Sequence, residues 1–265
     1  MPEDRWRDAA AYDRYMGRWS RLLALDFLSW LDLPPGSGWL EIGCGTGALT
    51  RAICEAASPR SVTACDTAAD YVAFCRERLR HPSLTVVAAG TDALPTRPGG
   101  YDAVVSSLVL NFLPDPVAAL ARMRDLCAPG GCVAACVWDY AVGMEFLRIF
   151  WDVAVELDPD AGPLHEGTRF PLCRPEALRA AFAAAGLGSV EVVPLTIPTR
   201  FVGFEDFWAP FADGPGPAPS YVAALDERRR RRLAERLRSR LGAAGGRPIT
   251  LEARAWAARG HRPAA

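Results

Sequence analysis

Three glycines at alternate positions, Gly43, Gly45 and Gly47, stand in the run GWLEIGCGTGALTRAICEAA at residues 38–57. Residues without a Cβ at this spacing let a ligand approach the backbone closely. Two acids flank them: Glu41 lies two residues before Gly43, and Asp66 closes the next apolar run, SVTACD. Read as G-x-G-x-x-G/A, Gly43, Gly45 and Ala48 fit a dinucleotide fingerprint. Asp66 follows Ala48 at a distance close to the ~20 residues of a ribose-binding carboxylate. That reading suits a nicotinamide dinucleotide and an oxidoreductase. Two details oppose it. Glu41 would repel a pyrophosphate but suits a cationic ligand, and three alternate glycines allow a flatter, wider loop against a nucleoside.

Other reactive residues are few. His165, beside Glu166 in GPLHEGTRF, has the ordinary pKa range of a general base at neutral pH. His81 and His261 fall at a helix end and in a tail and read as solvated. All 30 basic residues are Arg, so no lysine can form a Schiff base. The 8 cysteines form no CxxC pair and sit in apolar patterns, as buried small hydrophobes do. No metal site, Ser/His/Asp set or HExxH motif is expected.

The elements that must position these residues alternate. GWLEIG, SVTACD, LTVVAAG, YDAVVSSLVL and CVAACVW read as strands. GALTRAICEAA, AADYVAFCRERLR and DPVAALARMRDLC, between them, read as helices. This rhythm and the near-continuous apolar strands imply a parallel sheet covered on both faces. Ligands of such sheets bind at the carboxyl ends of the strands. After Trp138 the rhythm breaks. A helix at GMEFLRIFWDVAVELD, a loop at PDAGPLHEGTRFPLC, a helix at RPEALRAAFAAAG and a strand at VEVVPLTI follow. Residues 204–245 read as mostly helical, with DGPGPAPS as loop, and PITLEARAWAARG as a closing strand.

In that setting LEIGCGTG resembles motif I of the class I S-adenosylmethionine-dependent methyltransferases, in their small-molecule branch. The resemblance continues in order through VTACD, GTDALP, YDAVVSSLVLNFLPD and LCAPGG, covering residues 38–138. It implies a Rossmann-like, doubly wound α/β sheet of seven strands in the order 3-2-1-4-5-7-6, strand seven antiparallel. It implies a cofactor, S-adenosyl-L-methionine, held by Glu41, Gly43, Cys44, Gly45 and Gly47. Asp66 would take the ribose hydroxyls, with Thr67 beside them; Asp92 and the Ala93 N–H would take the adenine, and Leu108 the fourth-strand side. The leader segment AAYDRYMGRWSRLLALDFLSWL resembles a helix lying across the cofactor, with Tyr15 and Arg18 over the methionine end.

The resemblance also places acceptor chemistry. Asn111, Tyr140, Phe146 and Phe170 are expected to face the methyl acceptor, and His165 and Asp139 are the candidate catalytic residues. The expected division is a helical segment 1–37, a cofactor core 38–138, cap insertions 139–174 and 204–245, and the rest of the sheet in 175–203 and 246–265. Nine rings in the insertions, from Phe146 to Phe211, are expected to line an acceptor pocket or to form the cap's own core.

Composition bounds the partners. At 50% hydrophobic, 23% charged and a net charge of −1, a globular chain with no general pull on nucleic acid or anionic membrane is expected. DERRRRRLAERLRSRL, 226–241, carries leucines at helical spacing and reads as an amphipathic helix with a solvated charged face. The polar N-terminus and short apolar runs predict a cytoplasmic protein; the resemblance implies a small-molecule methyl acceptor, and a monomer or homodimer is expected.

Overall fold

The computed structural model describes residues 9–91, 93–213, 216–243 and 246–264. The N-terminal helix runs as α1 (Ala9–Tyr12), a π-helical turn Asp13–Gly17 and α2 (Arg18–Leu31) without a break in direction. α2 buries Trp19, Leu23, Phe27 and Leu31, a stripe at helical spacing. Then follow β1 (Gly38–Ile42), α3 (Ala48–Ala56), β2 (Ser61–Asp66), α4 (Ala69–Arg78), β3 (Leu84–Ala88) and β4 (Tyr101–Ser107). After a 3-10 turn at Leu110–Phe112 come α5 (Pro116–Leu126) and β5 (Cys127–Trp138). Asp115 caps α5 by accepting from the Ala118 N–H at 2.8 Å, with Pro116 in the first turn.

The second half supplies α6 (Glu145–Leu157), a 3-10 helix at Pro159–Leu164, α7 (Glu166–Arg169), α8 (Pro175–Ala184) and β6 (Gly188–Phe201). It ends with α9 (Phe204–Asp213), α10 (Pro217–Ala224), α11 (Glu227–Arg240) and β7 (Ile249–His261). The strands form one sheet in the order β3-β2-β1-β4-β5-β7-β6. The first five are parallel, and β7 runs antiparallel between β5 and β6. The order reverses between β1 and β4, which opens a crevice at their carboxyl ends. β1 is buried along its whole length, whereas edge strand β6 alternates exposed and covered residues. The sheet order and the antiparallel β7 are those the family resemblance implied.

Three local expectations change. The segment read as a loop around His165 contains the 3-10 helix and α7, each closed by a side-chain cap, from Asp158 and from His165. In DGPGPAPS, residues 217–220 open α10, because a helix's first-turn N–H groups need no intrahelical partner and proline costs little there. β4 stops at Ser107 and the chain turns at Leu108 with φ +64°.

The arginine-rich helix α11 packs inward through Leu233 and Leu237, both buried. Outward, Arg236 pairs with Glu156 of α6 and Arg238 with Glu205 of α9, each at 2.6 Å. All eight cysteines are free and buried. Among the described residues no helix is long and apolar enough to cross a membrane, and no group of three His, Cys, Asp or Glu is placed to hold a metal.

Candidate active site

A cavity of about 320 Å³ lies at the carboxyl ends of β1, β2, β4 and β5. Its floor is the glycine turn. The Gly43 and Cys44 N–H groups both donate to the Cys65 carbonyl, at 2.8 and 2.9 Å, and hold the turn against β2. Gly43 has φ +72°, and a Cβ there would stand 2.4 Å from Val109 Cγ2, so the turn and the β4 exit fit only without a side chain. Gly45, φ +51°, is different: a Cβ there would meet nothing within 4 Å, and the residue lines the cavity. The space above Gly45 is therefore open and belongs to the cavity.

Asp66, 9% exposed, closes the floor. Its Oδ2 accepts from the Gly45 N–H and its Oδ1 from the Ala68 N–H, both at 2.9 Å. Each oxygen keeps a second lone pair, so the carboxylate can bind its own loop and still take two hydroxyls. Glu41 is 1% exposed and accepts from Thr50 Oγ1 at 2.6 Å. Burial pushes its pKa up to about 8; the Thr50 bond opposes this, while Cys75 and Asp66 add to it. A hydrogen bond to Cys75, then burial, push the Cys44 thiol well up, so it stays an inert wall. Leu108, in the left-handed region at φ +64°, lines the β4 side. Such backbone strain collects at ligand clamps.

Side chains roof the cavity. Tyr12, Tyr15 and Met16 come from the N-terminal helix, Trp138 and Tyr140 from the end of β5, and Phe112 and Leu113 from the turn after β4. Leu147 of α6, Glu166 of α7 and Gly216–Pro217 at the start of α10 complete it. Among the described lining residues the only carboxylates are Glu41, Asp66 and Glu166, and none is Arg or His. This donor set fits a positively charged nucleoside without phosphates and opposes a pyrophosphate.

The comparisons agree with that geometry. A family profile described as a methyltransferase domain matches residues 40–133. Malonyl-[acyl-carrier protein] O-methyltransferase of Geobacter sulfurreducens is 31% identical over 189 residues, 70% of this chain and 69% of that protein. The chain belongs to the class I S-adenosylmethionine-dependent methyltransferases. The nicotinamide-dinucleotide reading of the glycine run falls with this membership. The methyltransferase is also 37% identical over 132 residues to the biotin biosynthesis bifunctional protein BioCD of Bordetella avium; the match spans 48% of this chain and only 28% of that relative's length. It shares its fold with Haemonchus contortus phosphoethanolamine N-methyltransferase 2, solved with phosphomonomethylethanolamine and S-adenosylhomocysteine. The TM-score is 0.56 at 15% identity, over 98% of this chain and 60% of that one.

Of the residues singled out in the sequence, the methyltransferase brings Glu41, Gly43, Cys44, Gly45, Asp66, Thr67, Leu108, Tyr15 and Tyr140 to the cavity. Gly47 lies just behind, at the entry to α3. Asp92 lies outside the described residues. Ala93 is exposed, does not line the cavity, and its N–H donates to the Gly90 carbonyl at 3.1 Å. Arg18 is turned elsewhere: it pairs with Asp206 through both carboxylate oxygens, at 3.0 and 3.2 Å, and lies over the rings of Trp19 and Phe201.

Both candidate catalytic residues have structural partners instead. Asp139, 3% exposed, takes two bonds from the Arg254 guanidinium at 2.9 and 2.6 Å and one from the Val142 N–H, tying the β5 exit to β7. His165 Nδ1 accepts from the Gly167 N–H at 2.9 Å and caps α7; burial, first among its causes, lowers its pKa. Neither lines the cavity.

The acceptor-side expectations divide in the same way. Asn111 sits in the turn between the lining Val109 and Phe112 without lining the cavity. Phe146 stands behind Tyr15, and Phe170 behind Tyr140 and Phe112. None of the nine rings lines the cavity; apart from Phe170, they pack on one another as the cap's own core, Phe150 on Phe211 at 4.4 Å, with Phe201 contributed by β6. Sequence reading passed over Phe112, Trp138, Leu147, Glu166 and the Gly216–Pro217 turn. Only Glu166 carried a signal, as the acid next to His165 in GPLHEGTRF.

Proposed function

We propose that this methyltransferase moves the methyl group of S-adenosylmethionine onto a nucleophilic atom of a small molecule by in-line displacement. One observation carries the reading: a single cavity joins an acid-lined glycine floor to a roof of tyrosine, tryptophan and phenylalanine rings. The bound cofactor supplies an electrophilic methyl on a sulfonium. In this reading Asp66 takes the ribose hydroxyls with Thr67 alongside, and Glu41 and the Gly43 turn face the methionine ammonium. The Tyr15 ring lies at the sulfonium end, where an aromatic face attracts a cation. The described residues of segment 1–37 cover the cofactor, and those of 139–174 with 204–245 form the cap that keeps water from the cation. Holding nucleophile and methyl in line within a closed space supplies up to ~7–11 kcal/mol of the barrier reduction.

Two measurements test this. Calorimetric titration should give binding of S-adenosylmethionine and S-adenosylhomocysteine and none of nicotinamide dinucleotides. Incubation with methyl-labelled cofactor and a cell extract should put label into the low-mass fraction. Label confined to protein or nucleic acid would reject the small-molecule acceptor, and failure to bind the cofactor would reject the reading itself.

A further inference from the structure

Arg18, the first residue of α2, stands outside the cavity and has no task in that reading. Its contacts are nevertheless unusual for a surface arginine. Its Nη1 reaches both carboxylate oxygens of Asp206, 188 residues further along the chain in α9, at 3.0 and 3.2 Å. The same guanidinium lies over the Trp19 and Phe201 rings, 4.3 and 4.9 Å from their centroids. A freely exposed ion pair contributes little, but these side chains are only 28% and 33% exposed and the cation rests on aromatic faces. Asp206 also accepts from the Val202 N–H at 2.9 Å, which fixes it to the exit of β6. Arg18 thus ties the N-terminal helix to the cap.

The tie holds a set of rings that ends at the cavity. Phe207, next to Asp206, packs on Phe201 at 5.3 Å and on Phe211 at 5.4 Å. Phe201 meets Trp19 at 5.4 Å and Phe146 at 5.9 Å. Phe146 and Phe211 each meet the Tyr15 ring edge to face at 6.2 Å. Tyr15 is 6% exposed and lines the cavity. Such contacts set a ring's plane only while the backing rings keep their own places. One of the two backing rings, Phe211, belongs to α9, which Arg18 grips.

We infer that Arg18 is a positioning residue for methyl transfer: its pair with Asp206 seats α9 and so holds the Tyr15 ring against the sulfonium of the cofactor. The inference rests on the cofactor reading above, which puts Tyr15 at that end. An aromatic ring attracts the sulfonium cation of S-adenosylmethionine but not the neutral thioether of S-adenosylhomocysteine. The two compounds differ only in the methyl group and its charge. The ratio of their affinities therefore reports where the ring stands, whereas a loss of stability alone moves both affinities together.

A double-mutant cycle read on that ratio, with both affinities measured by calorimetry, tests the inference. Tyr15→Leu should weaken S-adenosylmethionine at least about fivefold more than S-adenosylhomocysteine, and Tyr15→Phe, which keeps the ring, should preserve the ratio. Arg18→Met keeps an apolar stem over Trp19 and Phe201 and removes the charge. It should move the ratio in the same direction by at least about threefold, and should add nothing once Tyr15→Leu has removed the ring. Should Arg18→Met fail to fold, Asp206→Asn, which keeps an oxygen for the Val202 N–H, takes its place in the cycle. An unchanged ratio in Tyr15→Leu or in the Arg18 or Asp206 variant, or shifts that add in the double variant, overturns the inference. Wild-type protein that binds neither compound would instead strike the cofactor reading.

Discussion

At the floor of the cavity the contacts run through the backbone. Cys65 holds the turn by its carbonyl, and Asp66 holds Gly45 and Ala68 by their N–H groups. At the roof the contacts run through residues drawn from six separate stretches of chain, with Trp151 fixing Glu166 and Phe146 backing Tyr15. A backbone-built floor depends on a few small residues and one acid close in sequence. A side-chain roof changes with every substitution in the helices behind it. The floor can therefore keep one ligand while the roof is free to select another.

That contrast can be broken experimentally, and the largest effect should come from the floor. Gly45→Val puts a side chain into open space, so the protein should fold, at a cost of about 1–2 kcal/mol for the left-handed backbone, yet lose detectable cofactor binding. Full activity would mean that the space above Gly45 is not ligand space. Asp66→Ala removes charge-assisted bonds worth about 1.5–3 kcal/mol each and should raise the cofactor Kd roughly a hundredfold or more in calorimetry. An unchanged Kd would end the ribose assignment.

The roof's supports should separate stability from binding. Arg254→Leu leaves the buried Asp139 carboxylate unpaired. Because Arg254 is one third exposed, the loss should fall at the lower end of about 3–5 kcal/mol in denaturant unfolding, with cofactor Kd unchanged in the folded protein. A catalytic defect in a stable variant would return Asp139 to the chemistry.

Glu41 gives a pH signature of the floor. Its carboxyl is protonated below about pH 8 in the free protein, and a bound ammonium would favour the ionised form. Cofactor affinity should then rise with pH by up to about tenfold per unit as the medium approaches pH 8, and Glu41→Gln should flatten the curve. The same raised pKa acts on folding with the opposite slope: stability from this group is full below its unfolded value and declines as pH rises through about 8. The smallest effect belongs to His165. His165→Ala removes a cap worth about 1 kcal/mol and should leave the pH–rate profile near neutrality as it is. Its lowered pKa means that its stabilising contribution holds above about 6.5 and fades as pH falls through the folded value. A profile that loses its neutral limb would restore the general-base role.

Much of the floor was legible because its residues lie close together in sequence. Glu41 to Gly47 are one turn, and Asp66 ends the adjacent strand, so the spacing of residue types carries the geometry. The sheet followed from strand–helix alternation and from the half-exposed pattern of the last strand. The roof resisted for a physical reason. An apolar ring in an inserted helix has the same sequence signature whether it faces a cavity or another ring. Phe146 and Phe150 pack inward on Phe211, while Trp138 at a strand end faces the ligand space. Asp139 and His165 have the right chemistry for catalysis, but their partners, Arg254 and the Gly167 N–H, were not visible as partners in the chain's order.

By itself, then, the order of residues determined a parallel sheet covered on both faces, its closing strand and the acid-flanked glycine turn, since these follow from local backbone preferences and from which faces must be buried; the order of the strands came from the family resemblance. Only tertiary packing decided that Glu166, not His165 or Asp139, looks into the cavity. That choice depends on which group reaches each polar side chain: the Gly167 N–H is local to His165, but Trp151 and Arg254 come from far along the chain, and no local rule encodes those two contacts.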